Sequence, residues 1–162
     1  MDYLENSDNN QNGPEVVQIP VWTYEQAESA IPYLTSVVSS IRDRFLAVQS
    51  ARRTHELLAG RPGRPSRDDI IDHEHAAQEL GKAGDEVTEA VNELLHLNIY
   101  SVDPVNGIAM IPFLHAEQLA WLVFELFEEP KVRSYRFHGD PVDKRRPLGE
   151  VLEAGEESTP IV

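Results

Sequence analysis

The chain has 162 residues, with 28 acidic against 14 basic side chains, a formal charge of −14 and no cysteine. That length, with 41% hydrophobic residues, is enough for one domain with a real core. The lack of cysteine excludes disulfides, a thiolate nucleophile and Cys-ligated zinc or iron–sulfur centres.

The negative balance disfavours general nucleic-acid or anionic-membrane binding. The longest purely apolar run, Leu119 to Phe124, falls far short of the roughly 20 residues that span a bilayer. The opening MDYLENSDNN lacks the basic-then-apolar pattern of a signal peptide, so a soluble, cytoplasmic protein is expected. The charge is uneven. Residues 1–20 carry four unopposed acids and residues 149–162 another four, leaving 20 acids against 14 bases in the body. Both ends are expected to be acidic tails, flexible because they offer little apolar area against the entropy of ordering. Residues 21–148 form the single domain, and Val17, Ile19 and Val21 alternate as a short strand would.

Thr23 with Gln26 three residues later is a capping-box pattern. From there Ala27, Ile31, Leu34, Val38, Ile41, Phe45 and Val48 recur at spacings of four and three, continuing through Arg52 to His55, a heptad seam. Pro32 predicts either a kink or a short first helix followed by a long one. GRPGRPS at 60–66 must interrupt the helix, and Ser66 with Asp69 caps the next. There Ile70, His73, Ala77, Leu80, Gly84, Val87, Val91 and Leu94 repeat the pattern, and a short connection between two long helices makes an antiparallel, coiled-coil-like hairpin. A turn centred near residues 62 and 63 places Leu34 opposite Val91, Phe45 opposite Leu80 and Arg52 opposite His73. Gly81 and Gly84 then permit close approach near Phe45 or mark a break in the helix.

After Leu97 the period changes. Ile99, Tyr100 and Val102 are β-prone, DPVNG at 103–107 is turn chemistry, and Ile108 to Ile111 lead into Pro112. Leu119 to Phe127 also fits a helical stripe, but its aromatic and β-branched content, ending in a Glu-Glu-Pro turn at 128–130, favours a strand. Val132 to Phe137 alternates as another. The expected fold class is α+β: a long antiparallel helical hairpin followed by a small antiparallel β-meander.

The segment WTYEQAESAIP at 22–32, then Asp103, Gly107 and Pro112, then Glu129 and Pro130 with Arg145, Pro147 and Leu148, resembles an uncharacterised prokaryotic family, domain of unknown function 2203. The resemblance covers about residues 22–148. It implies a fold of the kind just derived, with no established activity, substrate or cofactor. The chain departs from the family pattern at Met110 and Ile111, where Asp and Phe are expected, and at Tyr135 and Arg136, where an aromatic residue and His are expected; His138 is out of register with that pair.

Two clusters carry potential chemistry. At the hairpin tip, His55, Asp69 and His73 could hold a divalent metal, since residues 69 and 73 share a helical face and His55 lies on the facing seam. A solvated coiled-coil end, with Arg52 paired to Asp69 or Glu74, accounts for the same residues. In the last segment, Arg133, Arg136, His138, Arg145 and Arg146 could bind an anion, with Tyr135 and Phe137 for stacking. Neutralisation of the chain's own acidic helices or tails is the competing role. Nucleophilic catalysis has little support, because no G-x-S-x-G elbow occurs and GRPGRPS lacks the lysine of a phosphate-binding loop. The expected function is therefore a non-catalytic interaction or assembly module. It forms a homodimer, or binds a protein partner, through leftover apolar residues of the hairpin such as Val37, Leu46 and Leu57.

Overall fold

Two reciprocal caps fix where the helices begin. In the computed structural model, which describes residues 18–156, the Thr23 hydroxyl accepts from the Gln26 N–H at 3.1 Å while the Gln26 side chain accepts from the Thr23 N–H. This box opens α1 (Tyr24–Ser29), and after Ala30 comes α2 (Ile31–Ala59). Pro32 sits in the first turn of α2, where its missing N–H has no intrahelical partner to lose. The chain thus resolves Pro32 as a short helix followed by a long one. The turn contains Gly63 at φ +95°, and a second box between Ser66 and Asp69 opens α3 (Arg67–Leu95). With 29 residues each, the two long helices reach about 43 Å.

The seam between them differs from the expected one. On α3 the buried residues are Ala76, Ala90 and Leu94, with Ala83 half-buried, whereas Ala77 is exposed. On α2 the seam moves from Leu34, Val38 and Ile41 to Ala51, leaving Arg52 exposed. Alanines seven residues apart, at 76, 83 and 90, supply the small side chains of the seam. Gly81 and Gly84 do not: a Cβ at either would meet nothing within 4 Å.

Five strands follow, β1 (Tyr100–Asp103), β2 (Ile108–His115), β3 (Gln118–Glu125), β4 (Val132–Phe137) and β5 (Arg146–Pro147), in one antiparallel sheet ordered as in the chain. The ambiguous segment is therefore strand β3. Register places Ala109, Ile111 and Phe113 beside Phe124, Leu122 and Ala120 on one face, which packs against Leu34, Val38, Ile41, Ala90 and Leu94 as the main core. The other face gathers Met110, Trp121 and Val123. A bulge at Val123 and Phe124 opposite β4 resets the alternation, so Val132 and Tyr135, an odd number apart, both join the main core.

Pro112 lies inside β2, continuing the strand expected to stop there. Its carbonyl accepts from the Trp22 N–H at 2.7 Å. Since the N and C=O of a strand residue point to the same side, the missing donor faces this thinly paired edge rather than β3. Ile19 and Val21 form no strand; Trp22 makes a single parallel bridge to Phe113, and Val17 lies outside the described residues. Residues Gly149–Glu156, expected within the acidic tail, form α4 instead, and its Glu150 accepts from the Tyr135 hydroxyl at 2.9 Å.

Gly107 closes the β1–β2 turn at φ +67°, and a Cβ there would stand 2.5 Å from the Leu126 Cβ. Gly107→Ala is expected to lower stability by more than about 1 kcal/mol, because both backbone and packing oppose it. Gly81→Ala and Gly84→Ala are expected to raise it by up to about 1 kcal/mol each, since helix propensity acts there without a clash. Chemical denaturation of the three variants checks both signs.

Candidate functional site

The hairpin tip brings two of its three predicted ligands together. The His55 and His73 rings lie with centroids 4.6 Å apart, tilted by 44°, so His73 meets His55 rather than Arg52, as the shifted seam requires. Asp69 is turned into the cap: its carboxylate accepts from the Ser66 N–H at 2.8 Å, the Ser66 hydroxyl at 2.7 Å and Arg61 at 3.0 Å. Those bonds, led by the two from Ser66, hold its pKa below the ordinary aspartate range. Among the described residues, no three His, Asp or Glu side chains form a metal-holding group. His75 and His73 line different clefts, as a two-residue step on a helix dictates.

The basic segment is divided by the sheet. Arg136 pairs in register with Trp121, on the face away from the helices, and its guanidinium donates to the Phe137 and Asp140 carbonyls. His138 Nδ1 accepts from the Trp121 indole at 3.2 Å on that same side. Arg146 pairs with Tyr135 and lies over the Phe137 ring, 4.9 Å from its centroid, on the helix side. There it joins an aromatic group in which His115 stacks near Phe113 and Phe137 and meets Tyr135 edge-on. Burial, then the hydrogen bond to Glu150, raises the pKa of the Tyr135 phenol above its usual value.

Neutralisation within the chain is visible, but the acids are not those of α3. Arg133 pairs with Glu128 at 3.1 Å, Arg145 with Glu125 at 3.7 Å, and Arg146 with Asp140 at 2.8 Å. The last pair is bidentate, with a second contact at 3.0 Å. Arg133, Arg145 and Arg146 line one cleft with Glu125, Ser134 and Pro147. No protein-family model, no curated protein and no solved structure matches the chain.

Residues that carry the resemblance noted in the sequence also have plain duties in this fold. Asp103 accepts from the Asn106 backbone and side chain, Gly107 takes the left-handed turn position, Pro112 faces Trp22, and Leu148 is buried in the core. Ser134, Glu125 and Asp140 were not singled out by sequence pattern. Asp140 lies in a Gly-Asp-Pro turn, the kind of position Asp favours, and there accepts from the Phe137 N–H at 2.9 Å. Ser134 and Glu125 had no such signal, because they reach the cleft only through the β3–β4–β5 register.

Arg146 chiefly, then the Phe137 N–H, lower Asp140 from 3.8 to about 2. A depressed carboxylate contributes stability that is complete above its unfolded value and is lost as pH falls through its folded one. The stability gap between the natural chain and Asp140→Asn is therefore expected to be widest near neutral pH and to shrink as pH falls from 3.8 towards 2. Denaturation curves for both proteins across that window check it.

Proposed function

We propose that the chain is an assembly module whose helical hairpin pairs with the hairpin of a second copy. The observation that carries this is the state of the outer arm: from residue 42 to residue 89, Ala76 is the one buried side chain. Two helices alone bury only one stripe each, and among the described residues none from 42–89 belongs to the main core under the sheet. Leu57, Ile70 and Ile71 are 69%, 56% and 51% exposed.

Charge complementarity supports a second copy as the occupant. Helix α2 carries four arginines against Asp43 and Glu56, while α3 carries nine carboxylates against Arg67 and Lys82. Yet among the described residues no ion pair joins α2 to α3. An antiparallel, two-fold arrangement sets the basic helix of each copy against the acidic helix of the other and closes as a four-helix bundle. Leu46, Ser50, Arg53 and Leu57 follow one another at steps of four, three and four, a single stripe along α2. A groove of about 430 Å³ runs between the helices, with Ala51, Leu58 and Ala76 at its floor and Asp72 and Glu79 on the acidic helix. It offers a hole for a leucine knob and carboxylates for the adjoining arginine. On this reading the chain is a divergent relative of the domain of unknown function 2203 family, sharing its scaffold positions.

Light scattering at micromolar concentration should give a dimer that weakens with added salt, as exposed charge pairs do. Leu57→Asp should raise the dissociation constant at least about tenfold, because an unburied leucine forfeits about 1.5–3 kcal/mol. Arg53→Glu should weaken the dimer and Arg53→Glu with Glu79→Arg should restore it. A strict monomer at about 100 μM, some −5 kcal/mol of standard free energy, overturns the proposal; a monomer that binds only a foreign basic helix does so too.

A further inference from the structure

The cleft between β4 and β5 contains a polar group that the described residues leave without a partner. Ser134 is 7% exposed, and its hydroxyl is buried with no hydrogen-bond partner among the described residues. A buried hydroxyl in that state costs stability, so native chains rarely leave one without a use. Ser134 lines the same cleft, about 290 Å³ in volume, as Arg133, Arg145 and Arg146. With the Arg146 guanidinium drawn to the Phe137 side of the sheet, Arg133, Arg145 and a hydroxyl donor share a space of small-molecule size.

The three arginines are not equally committed. Arg146 is held by the bidentate Asp140 pair and by the Phe137 ring on the helix side, so its guanidinium is already committed there. Arg133 and Glu128 are both more than two-fifths exposed, and exposed pairs of that kind exchange at little cost. Arg145 meets Glu125 at 3.7 Å, beyond hydrogen-bond length, while its guanidinium donates to the Val142 and Lys144 carbonyls. Glu125 itself lines the cleft, where its carboxylate occupies the place an incoming anion would take.

We infer that this cleft is a binding site for a phosphate group, with the Ser134 hydroxyl donating to one oxygen and Arg145 and Arg133 pairing with the others as Glu125 and Glu128 swing out. Forked guanidinium donors suit phosphate oxygens better than a single carboxylate, and a dianion compensates the two arginines released by their carboxylates. Inorganic phosphate and a phosphomonoester share this chemistry. Arg136, whose guanidinium donates to the Phe137 and Asp140 carbonyls, and His138, which accepts from Trp121, do not line the cleft and take no part.

The full chain should be titrated with potassium phosphate, and separately with glycerol phosphate, at constant ionic strength and pH, while its backbone and arginine NMR signals are followed. Saturable shifts at Arg133, Ser134 and Arg145 are expected, with a dissociation constant of about 1 mM or tighter. Tighter binding of glycerol phosphate identifies an organic phosphomonoester as the ligand source, and equal binding identifies the free ion. Glu125→Gln, which removes the internal competitor, should tighten binding several-fold, whereas Arg145→Gln should weaken it at least about tenfold, the loss of one charge-assisted contact. Ser134→Ala should weaken it less. A response that does not saturate by about 10 mM, or one that Arg145→Gln and Glu125→Gln both leave unchanged, overturns the assignment.

Discussion

A mismatch of lengths governs this molecule. Five strands spaced about 4.8 Å apart, the longest of eight residues, make a sheet some 20–27 Å across. The hairpin laid on it is about 43 Å long. The sheet can therefore cover only the root of the hairpin, where Leu34, Val38, Ile41, Ala90 and Leu94 meet Ile111, Leu122 and Phe124. Everything outside that root must live with one seam of mutual contact, where alanines alternate with larger residues such as Phe45, Leu80 and Val87 that stay half in water. No change in the strands could cure this without enlarging the sheet.

At the root, the accounting of backbone donors and acceptors is close. Trp22 donates its backbone N–H to Pro112 and its indole N–H to the Leu97 carbonyl, Leu148 donates to the Arg133 carbonyl, and Leu126 to that of Gly107. Each of these bonds joins segments distant in the chain. Plain alternation along β4 turns Tyr135 to the helices and Ser134 away, while the bulge beyond Ser134 brings Val132 back to the same core as Tyr135.

The fold was largely legible because its signals are local. Thr23 with Gln26, and Ser66 with Asp69, are capping boxes that need only four residues to recognise, and GRPGRPS can be little but a turn. Strand β3 could be told from a helix by its Trp, Val and Phe content. What was hidden depends on register. The heptad pattern of α3 fits Ala76, Ala83 and Ala90 as well as Ala77, Gly84 and Val91, and only the partner helix decides between them. With that decision went the placing of His73 against His55. Strand β5 is two residues long and has no periodicity to read, and α4 is a helix whose acidic composition resembles that of a tail. The five candidate anion ligands lie close in sequence, but a strand sends neighbours to opposite faces, so the fold divides them in space.

The double attachment of Trp22 has a mechanical meaning. One side chain and its own amide tie together the end of α3 and the middle of β2, close to where the hairpin leaves the sheet. Leu97, at the exit from α3, is thereby clamped rather than hinged. A force applied at the Pro62–Pro65 turn would act on a stiff lever whose fulcrum is this indole, and the load would pass into β2 through Pro112 and Phe113 instead of being lost in a flexible joint. Movement of one arm in an assembly would consequently turn its sheet with it.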